Sequence, residues 1–460
     1  MTLLYRRQKR MKWLEAMDMD RPILEELEKN PRVEAGIFDN ARQLAVYPEN
    51  RDSLNVGRYF IEKMIDKLEE LIVHAHFRTL DDESPSRDAI SVRELNDTAT
   101  GPGLLTSTLF GHFMPFDECM PFQNLTSLRL HRISLRYCAD TWCKFVNFNK
   151  MRYLRIYHCP GVDSLLGQLT RAANLPKSLH VFELQHKDNA EDEALIALEG
   201  FLCLVSGLRS LVIDLQNVKT LPAVAGMVRH SKTLERLNIH CSNDTSSPLV
   251  GDRACDAEEL VYEAEDFEKI CSTATRLEQL SLAWPNRSLI RSPSDDWCAF
   301  ENSICKLRQL VTLHITTWPS NKKASSSTLS RSIYEYLLQG VATRLFEMSA
   351  KRLPLPEPVD AASTPASPPT PSKFRLVAFG ISDKIYERED SRNQLLYLRS
   401  SALDAEGKFK IYATPVGWCL RKYLEPRSDV LDFVLSREAR LPCRAEIEDM
   451  DRFGFTVDDD

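Results

Sequence analysis

The side chains able to do chemistry are tested first by their spacing. Ten histidines are scattered through 460 residues, and His74-Ala-His76 is the one close pair. His74 is expected to face outward from its strand and His76 to lie past the strand's end, so no metal site is expected there. The 12 cysteines contain no CxxC pair. Cys138 and Cys143 lie five apart with no second pair or His cluster beside them, which points to structural thiols rather than zinc ligands. Carboxylate pairs such as Glu69-Glu70 and Asp295-Asp296 read as solvated or helix-capping positions. A Cys–His nucleophile pair has the raw material but no local signature. No GxGxxG, GxxxxGK[ST], GxSxG, HExxH or EF-hand loop occurs. The expectation is a protein that is not an enzyme, with no catalytic residue, no cofactor and no bound metal.

Composition narrows the class further. Hydrophobic content of 43% and charged content of 27% are those of a folded globular chain and exclude wholesale disorder. Only 16 glycines make a glycine-rich phosphate loop a poor expectation. The net charge of −7 lacks the basic excess of a nucleic-acid binder, so no nucleic-acid partner is expected. The basic start (Arg6, Arg7, Lys9, Arg10, Lys12) is followed by no apolar segment of a signal peptide. The longest apolar stretch, Phe201 to Leu215, is cut by Arg209 and Asp214 and is too short to span a bilayer. An intracellular location, cytoplasmic or nuclear, is therefore expected, with reduced thiols and no membrane partner.

The elements that position these residues repeat along the chain. An apolar residue at position one recurs at four and at six. The pattern appears as Leu125, Leu128, Leu130; Met151, Leu154, Ile156; Leu179, Phe182, Leu184; Leu208, Leu211, Ile213; Leu234, Leu237, Ile239; Leu277, Leu280, Leu282; and Leu310, Leu313, Ile315. The intervals between first positions are 26, 28, 29, 26, 43 and 33 residues. Upstream, Leu68, Leu71, Val73 and Ala41, Leu44, Val46 fit, and the gap between Leu68 and Leu125 leaves room for one degenerate unit around Leu95. Between the strands, Val162, Leu165, Leu166, Leu169 recur at helical spacing, as do Leu195, Leu198, Leu202, Val205 and Trp297, Phe300, Ile304, Leu307. Asp295 and Asp296 stand where an N-cap belongs, and Pro222 suits a first helical turn. Each unit thus reads as strand, tight turn and helix. Stacked neighbours bury the apolar faces that one unit cannot bury alone. Leu154→Asp should then unfold the array, because it sets an unpaired charge between stacked strands.

With positions one, four and six buried, alternation puts positions three, five and seven on the other side of the sheet. Strands ~4.8 Å apart bring Arg129, Tyr153, Arg155 and Tyr157 into one patch, and Arg and Tyr dominate interface hot spots. Together with His131, Arg236 and His240 these are the candidate partner-binding residues. As a surface position, Arg155→Ala is expected to change stability by no more than ~0.5 kcal/mol.

The LxxLxL run at this period resembles the leucine-rich repeat. The unit Met151-Arg-Tyr-Leu154-Arg-Ile156-Tyr-His-Cys159-Pro-Gly-Val162 resembles the cysteine-containing subtype, whose Cys side chain caps the turn. Ile133 and Gln216 stand at that position elsewhere, and Cys241 falls one residue early. The resemblance implies an irregular α/β solenoid of nine to ten repeats, with parallel strands on the concave face and helices on the convex face. Cysteine-containing repeats are common in F-box proteins, the substrate receptors of cullin-based ubiquitin ligases. The start, with Leu4-Tyr5-Arg6 and Leu24 to Pro31, loosely resembles the region after the F-box in fungal proteins of this kind. No LPxE-like motif stands in residues 1–60. The resemblance therefore implies a non-catalytic protein-interaction scaffold that binds proteins on its concave face. One form is a substrate receptor that meets a cullin-ligase adaptor if an F-box lies upstream. The alternative is a stand-alone structural or regulatory binding protein.

Four regions follow. Residues 1–352 are the degenerate solenoid with a helical start. Residues 353–373 hold seven prolines among Ser, Thr and Ala and read as a flexible linker. Its Thr364-Pro365, Ser367-Pro368 and Thr370-Pro371 pairs are possible phosphate acceptors, with a plain solvated spacer as the other reading. Residues 374–445 carry strands (Phe374, Val377, Phe379 and Lys408 to Thr414) and a helix that close the array, and 446–460 form an acidic tail. The 43-residue interval reads as an acidic inserted loop, Cys241 to Glu265, leading into a helix around Phe267, Ile270, Cys271 and Ala274. A second helix spans Arg331 to Met348, with Ile333, Leu337, Val341 and Leu345 on one face.

Overall fold

The computed structural model describes residues 13–16, 25, 29, 38–48, 51–74, 108–109, 122–189, 191–243, 258–319, 329–351, 372–380, 395–403, 405–406 and 409–416. They fall into two compact units, one up to Ser206 and one from Gly207 onward. Each is α/β, with helices and an open, mostly parallel sheet.

The first unit holds β1 (Trp13–Ala16), β2 (Gln43–Val46), β3 (Glu70–His74), β4 (Ser127–His131), β5 (Tyr153–Tyr157) and β6 (Val181–Lys187). They pair in chain order, all parallel. The register aligns the repeat: Leu71, Leu128, Leu154 and Phe182 form one row, and Val73, Leu130, Ile156 and Leu184 another. All eight are essentially inaccessible. Strands joined in parallel need a crossover, and the helices α1 (Arg51–Met64), α2 (Ala139–Phe145), α3 (Val162–Leu169) and α4 (Glu193–Leu204) stand in those crossovers and after β6. α2 packs on α3, and α3 on α4.

The second unit holds β7 (Ser210–Gln216), β8 (Arg236–Asn243), β9 (Glu258–Glu259), β10 (Gln279–Leu282), β11 (Thr312–Ile315), β12 (Leu376–Phe379), β13 (Leu395–Leu403) and β14 (Phe409–Pro415). Its helices are α5 (Val224–Val228), α6 (Ala264–Thr273), α7 (Asp295–Ile304) and α8 (Arg331–Lys351). Parallel pairing runs β7-β8-β10-β11-β12, after which β13 and β14 add on antiparallel. The core contains Phe267 stacked on Phe300 at 4.0 Å and Trp284 edge-on to Trp297 at 4.9 Å. Beside it, the buried Glu301 accepts from the Trp297 indole at 2.9 Å and lies 3.3 Å from Arg287 and 2.9 Å from Arg344. The last strand is not left open along its length. Gln339 on α8 donates to the Ala413 carbonyl at 2.7 Å, and the Ala413 N–H donates to Thr343 at 3.0 Å. The helix thus occupies backbone groups that would otherwise template another strand.

One backbone device recurs in both units. At the start of each repeat, two successive N–H groups donate to one carbonyl of the preceding repeat. Glu69 and Glu70 donate to Arg42, Thr126 and Ser127 to Glu69, Arg152 and Tyr153 to Thr126, and His180 and Val181 to Arg152. In the second unit Glu235 and Arg236 donate to Arg209, Glu278 and Gln279 to Glu235, Val311 and Thr312 to Glu278, and Arg375 and Leu376 to Val311.

Several sequence expectations are corrected. β3 and β4 pair directly, and the expected unit around Leu95 lies outside the described residues. β1 and β13 were not anticipated: each is short of the full apolar pattern and is recruited by a neighbouring edge. β8 and β10 also pair directly across the 43-residue interval, and the insert returns as β9, antiparallel to β8. α7 is capped by Ser294, whose hydroxyl accepts from the Trp297 N–H at 3.3 Å; Asp295 and Asp296 lie in its first turn. Pro222 precedes α5 rather than opening it, and its carbonyl accepts from Tyr262 at 2.8 Å. α8 buries Leu338, Val341, Ala342, Leu345 and Phe346, and leaves Ile333 exposed. The 353–373 linker, apart from Ser372 and Lys373, and the 446–460 tail lie outside the described residues. Among the described residues no helix is long and apolar enough to cross a membrane.

Candidate functional site

The polar side of β3–β6 brings the expected residues together. Arg129, Arg155 and Glu183 are register neighbours on successive strands, as are Ser127 and Tyr153, and His131 and Tyr157. Arg155 Nε lies 3.0 Å from Glu183 Oε1. The Tyr157 hydroxyl donates to the other Glu183 oxygen, and Ser127 donates to Glu70 at 3.1 Å. Arg155 also stands 5.8 Å from the Tyr153 ring centre. Burial pushes the Tyr157 hydroxyl well above its usual range, and the Glu183 charge adds to the push. Burial works against the Arg155 charge, but Glu183 and then Tyr157 more than offset it, so the guanidinium is held more firmly protonated. These groups satisfy one another.

Exposure along this side differs from expectation. Tyr153 is 39% exposed, and Arg129, Arg155 and Tyr157 are half-buried. His131 is 5% exposed and packs edge-on against His74 at 4.0 Å between ring centres. It is not a surface residue, and His74, its register neighbour on the same side, is also buried at 7% exposed. In the second unit Arg236 is exposed, whereas His240 is 7% exposed. Its Nδ1 lies 2.7 Å from Asp214 and its Nε2 3.7 Å from Glu259, which also accepts from Thr316 at 2.6 Å. On β10 and β11 the Ser281 hydroxyl and His314 Nδ1 lie 2.8 Å apart, and His314 Nε2 lies 2.7 Å from the Gly380 carbonyl. Ser281 is fully buried, so this pair is a bond between rungs with no approach for a substrate. The physical reason is common to both units. Polar side chains of one row bond sideways to the next strand, and once paired they tolerate burial.

A cleft of about 610 Å³ opens where β5 and β6 end and α3 and α4 begin. Arg136, Tyr137, His158, Asp163, His186 and Lys187 are among its lining residues. One wall is the turn between β4 and α2, which sequence reasoning missed because its shape depends on left-handed backbone at Arg132 (φ 58) and Tyr137 (φ 56). Leu135 N–H donates to the Pro160 carbonyl at 2.7 Å. At Gly161 (φ +82) a Cβ would lie 2.5 Å from the Arg136 nitrogen, so only glycine lets these two backbones meet. Buried Cys159 donates to the Tyr157 carbonyl at 3.3 Å and closes the turn after β5. The opposite wall is set by Asp188, which accepts from Asn189, Ala194 and Leu195 N–H groups at 2.8, 3.0 and 2.8 Å and so caps α4. Burial pulls the His186 imidazole below its usual range despite the nearby Asp188 and Asp163.

Thiols are ordinary core members. Cys138, Cys143, Cys159, Cys241 and Cys271 are buried and Cys203 is exposed. Burial pushes Cys138 up to about 11 and Cys143 and Cys159 up to about 12. Compared with known proteins, the chain matches no family model and no curated sequence.

Proposed function

We propose that the chain is a non-catalytic protein-interaction scaffold of the leucine-rich-repeat kind, and that it acts as an F-box-like substrate-recognition protein of a cullin ubiquitin ligase. The observation that carries the repeat reading is the recurring pair of N–H donors onto one carbonyl, which accompanies an apolar register kept from strand to strand. A ladder of this kind offers side chains and turns at fixed spacing over a long surface, which suits the binding of a protein rather than a small molecule. The Cys159 bond across its turn supports the cysteine-containing subtype and, through that resemblance, the ligase role. The second reading is a stand-alone structural or regulatory scaffold, which the same repeat ladder serves without a ligase. Native co-purification tests the two. Enrichment of a cullin-ligase adaptor is expected under the first reading, and an assembly that holds protein partners but no adaptor refutes it in favour of the second.

A further inference from the structure

We propose that His240 is a pH-sensitive latch: its imidazolium holds strand β9 on the end of β8, and loss of one ring proton as the pH rises releases that strand. The device lies within the second unit and is independent of the scaffold reading above.

β9 needs a hold beyond its own backbone. It is two residues long, with Glu259 opposite Ser242 and Glu258 opposite Asn243. The Leu260 N–H adds one bond, to the Cys241 carbonyl at 2.9 Å. So short a strand pairing has little stability by itself. The Glu259 carboxylate ties it further to the ladder. One oxygen accepts from the Thr316 hydroxyl at 2.6 Å, and the other lies 3.7 Å from His240 Nε2. Tyr262 is anchored separately, by donation to the Pro222 carbonyl at 2.8 Å, so a release of β9 need not spread past it.

The imidazole stands between two carboxylates from two strands. Its Nδ1 lies 2.7 Å from Asp214 Oδ1 on β7, and its Nε2 faces Glu259 on β9. His240 and Asp214 are buried, and the Glu259 side chain is 16% exposed, so water screens these charges poorly. Ala283, which follows β10, and Thr316, which follows β11, bring no charge to this place. An imidazolium has an N–H for each carboxylate, whereas the neutral ring has one. At 2.7 Å Asp214 keeps that one, and the neutral Nε2 then turns a lone pair toward Glu259. A separation of 3.7 Å is too long for a hydrogen bond. The link to Glu259 is therefore electrostatic, and it fails when the ring is neutral.

Docking of β9 and protonation of His240 thus favour each other. The strand is held where the ring is charged and Glu259 is ionised. It loosens as pH rises through the titration of His240, and again in acid once the Glu259 carboxyl takes a proton. Release bares the backbone of Ser242 and Asn243, which extend past the stretch of β8 that pairs with β10. An uncovered strand edge of this kind can accept another strand.

The test uses the full chain between pH 5.5 and 8.5. Histidine ring NMR follows His240, assigned by its loss in His240→Gln, and amide hydrogen exchange at residue resolution follows Leu260. After correction for intrinsic exchange, Leu260 protection should fall about fivefold or more as His240 loses its proton. The Gln279 amide, bonded to the Glu235 carbonyl at 3.0 Å, should keep its protection and so report that the ladder stays folded. His240→Gln keeps an amide for Asp214 and should make Leu260 protection independent of pH. Glu259→Gln, which retains an acceptor for Thr316, should do the same and should move the His240 midpoint to lower pH. A His240 that does not titrate in this range would overturn the latch. So would Leu260 protection that stays level in the parent, or that falls equally in Glu259→Gln.

Discussion

Arg155→Ala removes a guanidinium whose side chain is 19% exposed and whose partner Glu183 is 15% exposed. Exposed ion pairs contribute ~0.2–1 kcal/mol, and breaking a deeply buried one costs ~3–5 kcal/mol. This pair lies between those limits. Glu183 keeps the Tyr157 hydroxyl and is not wholly orphaned, but a half-buried carboxylate loses its cation, and the Arg stem loses its packing. The expected cost is about 1–3 kcal/mol, above the ~0.5 kcal/mol expected for a solvated position. For a unit of this size each kcal/mol lowers the melting midpoint by roughly 2–4 °C, so a drop of about 2–12 °C is expected. Urea unfolding followed by far-UV circular dichroism measures it, with an unchanged m-value showing that only stability has moved. A double-mutant cycle of Arg155→Ala with Glu183→Ala should give a coupling of about 0.5 kcal/mol or more. A single-mutant cost below ~0.5 kcal/mol together with no coupling would refute the account of a self-satisfied polar row.

Other perturbations probe the frame and the thiols. Leu154→Asp puts a charge between Leu128 and Phe182 in a fully buried row; loss of the first unit's cooperative unfolding is expected, and an unchanged melting curve would refute the register. Gly380→Ala places a Cβ 1.9 Å from the Trp318 ring at φ +80 and disturbs the carbonyl that His314 holds. A loss of about 2–4 kcal/mol is expected from strain and overpacking, read by tryptophan fluorescence during urea unfolding, and a midpoint equal to the parent's counts against that packing. A thiol reagent should modify exposed Cys203 at once and the five buried thiols only as the chain opens; immediate labelling in which Cys159→Ser takes up one reagent fewer than the parent would show Cys159 reactive in the folded chain and contradict the burial. Because the buried thiols ionise higher when folded than their usual value of about 9, the folded state holds more protons above that pH. Stability should therefore fall from about pH 9 toward pH 11, and Cys143→Ala should flatten the fall. A flat profile in the parent would refute it.

How far the residues themselves disclosed this arrangement differs between the two sides of the sheet. Leu128, Leu154, Phe182 and Leu184 declare their burial locally, since an apolar residue at alternating positions has one side on which to hide. The polar residues carry no such label. Arg155, Tyr157 and His240 look solvated in sequence, yet their partners stand one strand away, at Glu183 and Asp214, 26 to 28 residues distant in the chain. Only the pairing of strands brings them within bonding distance. The cleft was less legible still. Its Tyr137 and Arg136 are set by left-handed backbone and by the contact of Gly161 with a neighbouring turn, and its Asp188 cap reaches six and seven residues forward to α4.

By itself the sequence determined which positions are apolar, how often they recur, and hence an α/β chain of strand–helix units, because burial of alternating side chains is a short-range consequence of hydrophobicity. Tertiary structure decided which units become neighbours, that β3 pairs directly with β4, and which polar groups are satisfied inside the protein. Those outcomes depend on hydrogen bonds between residues far apart in the chain, whose energies exist only once the strands lie side by side.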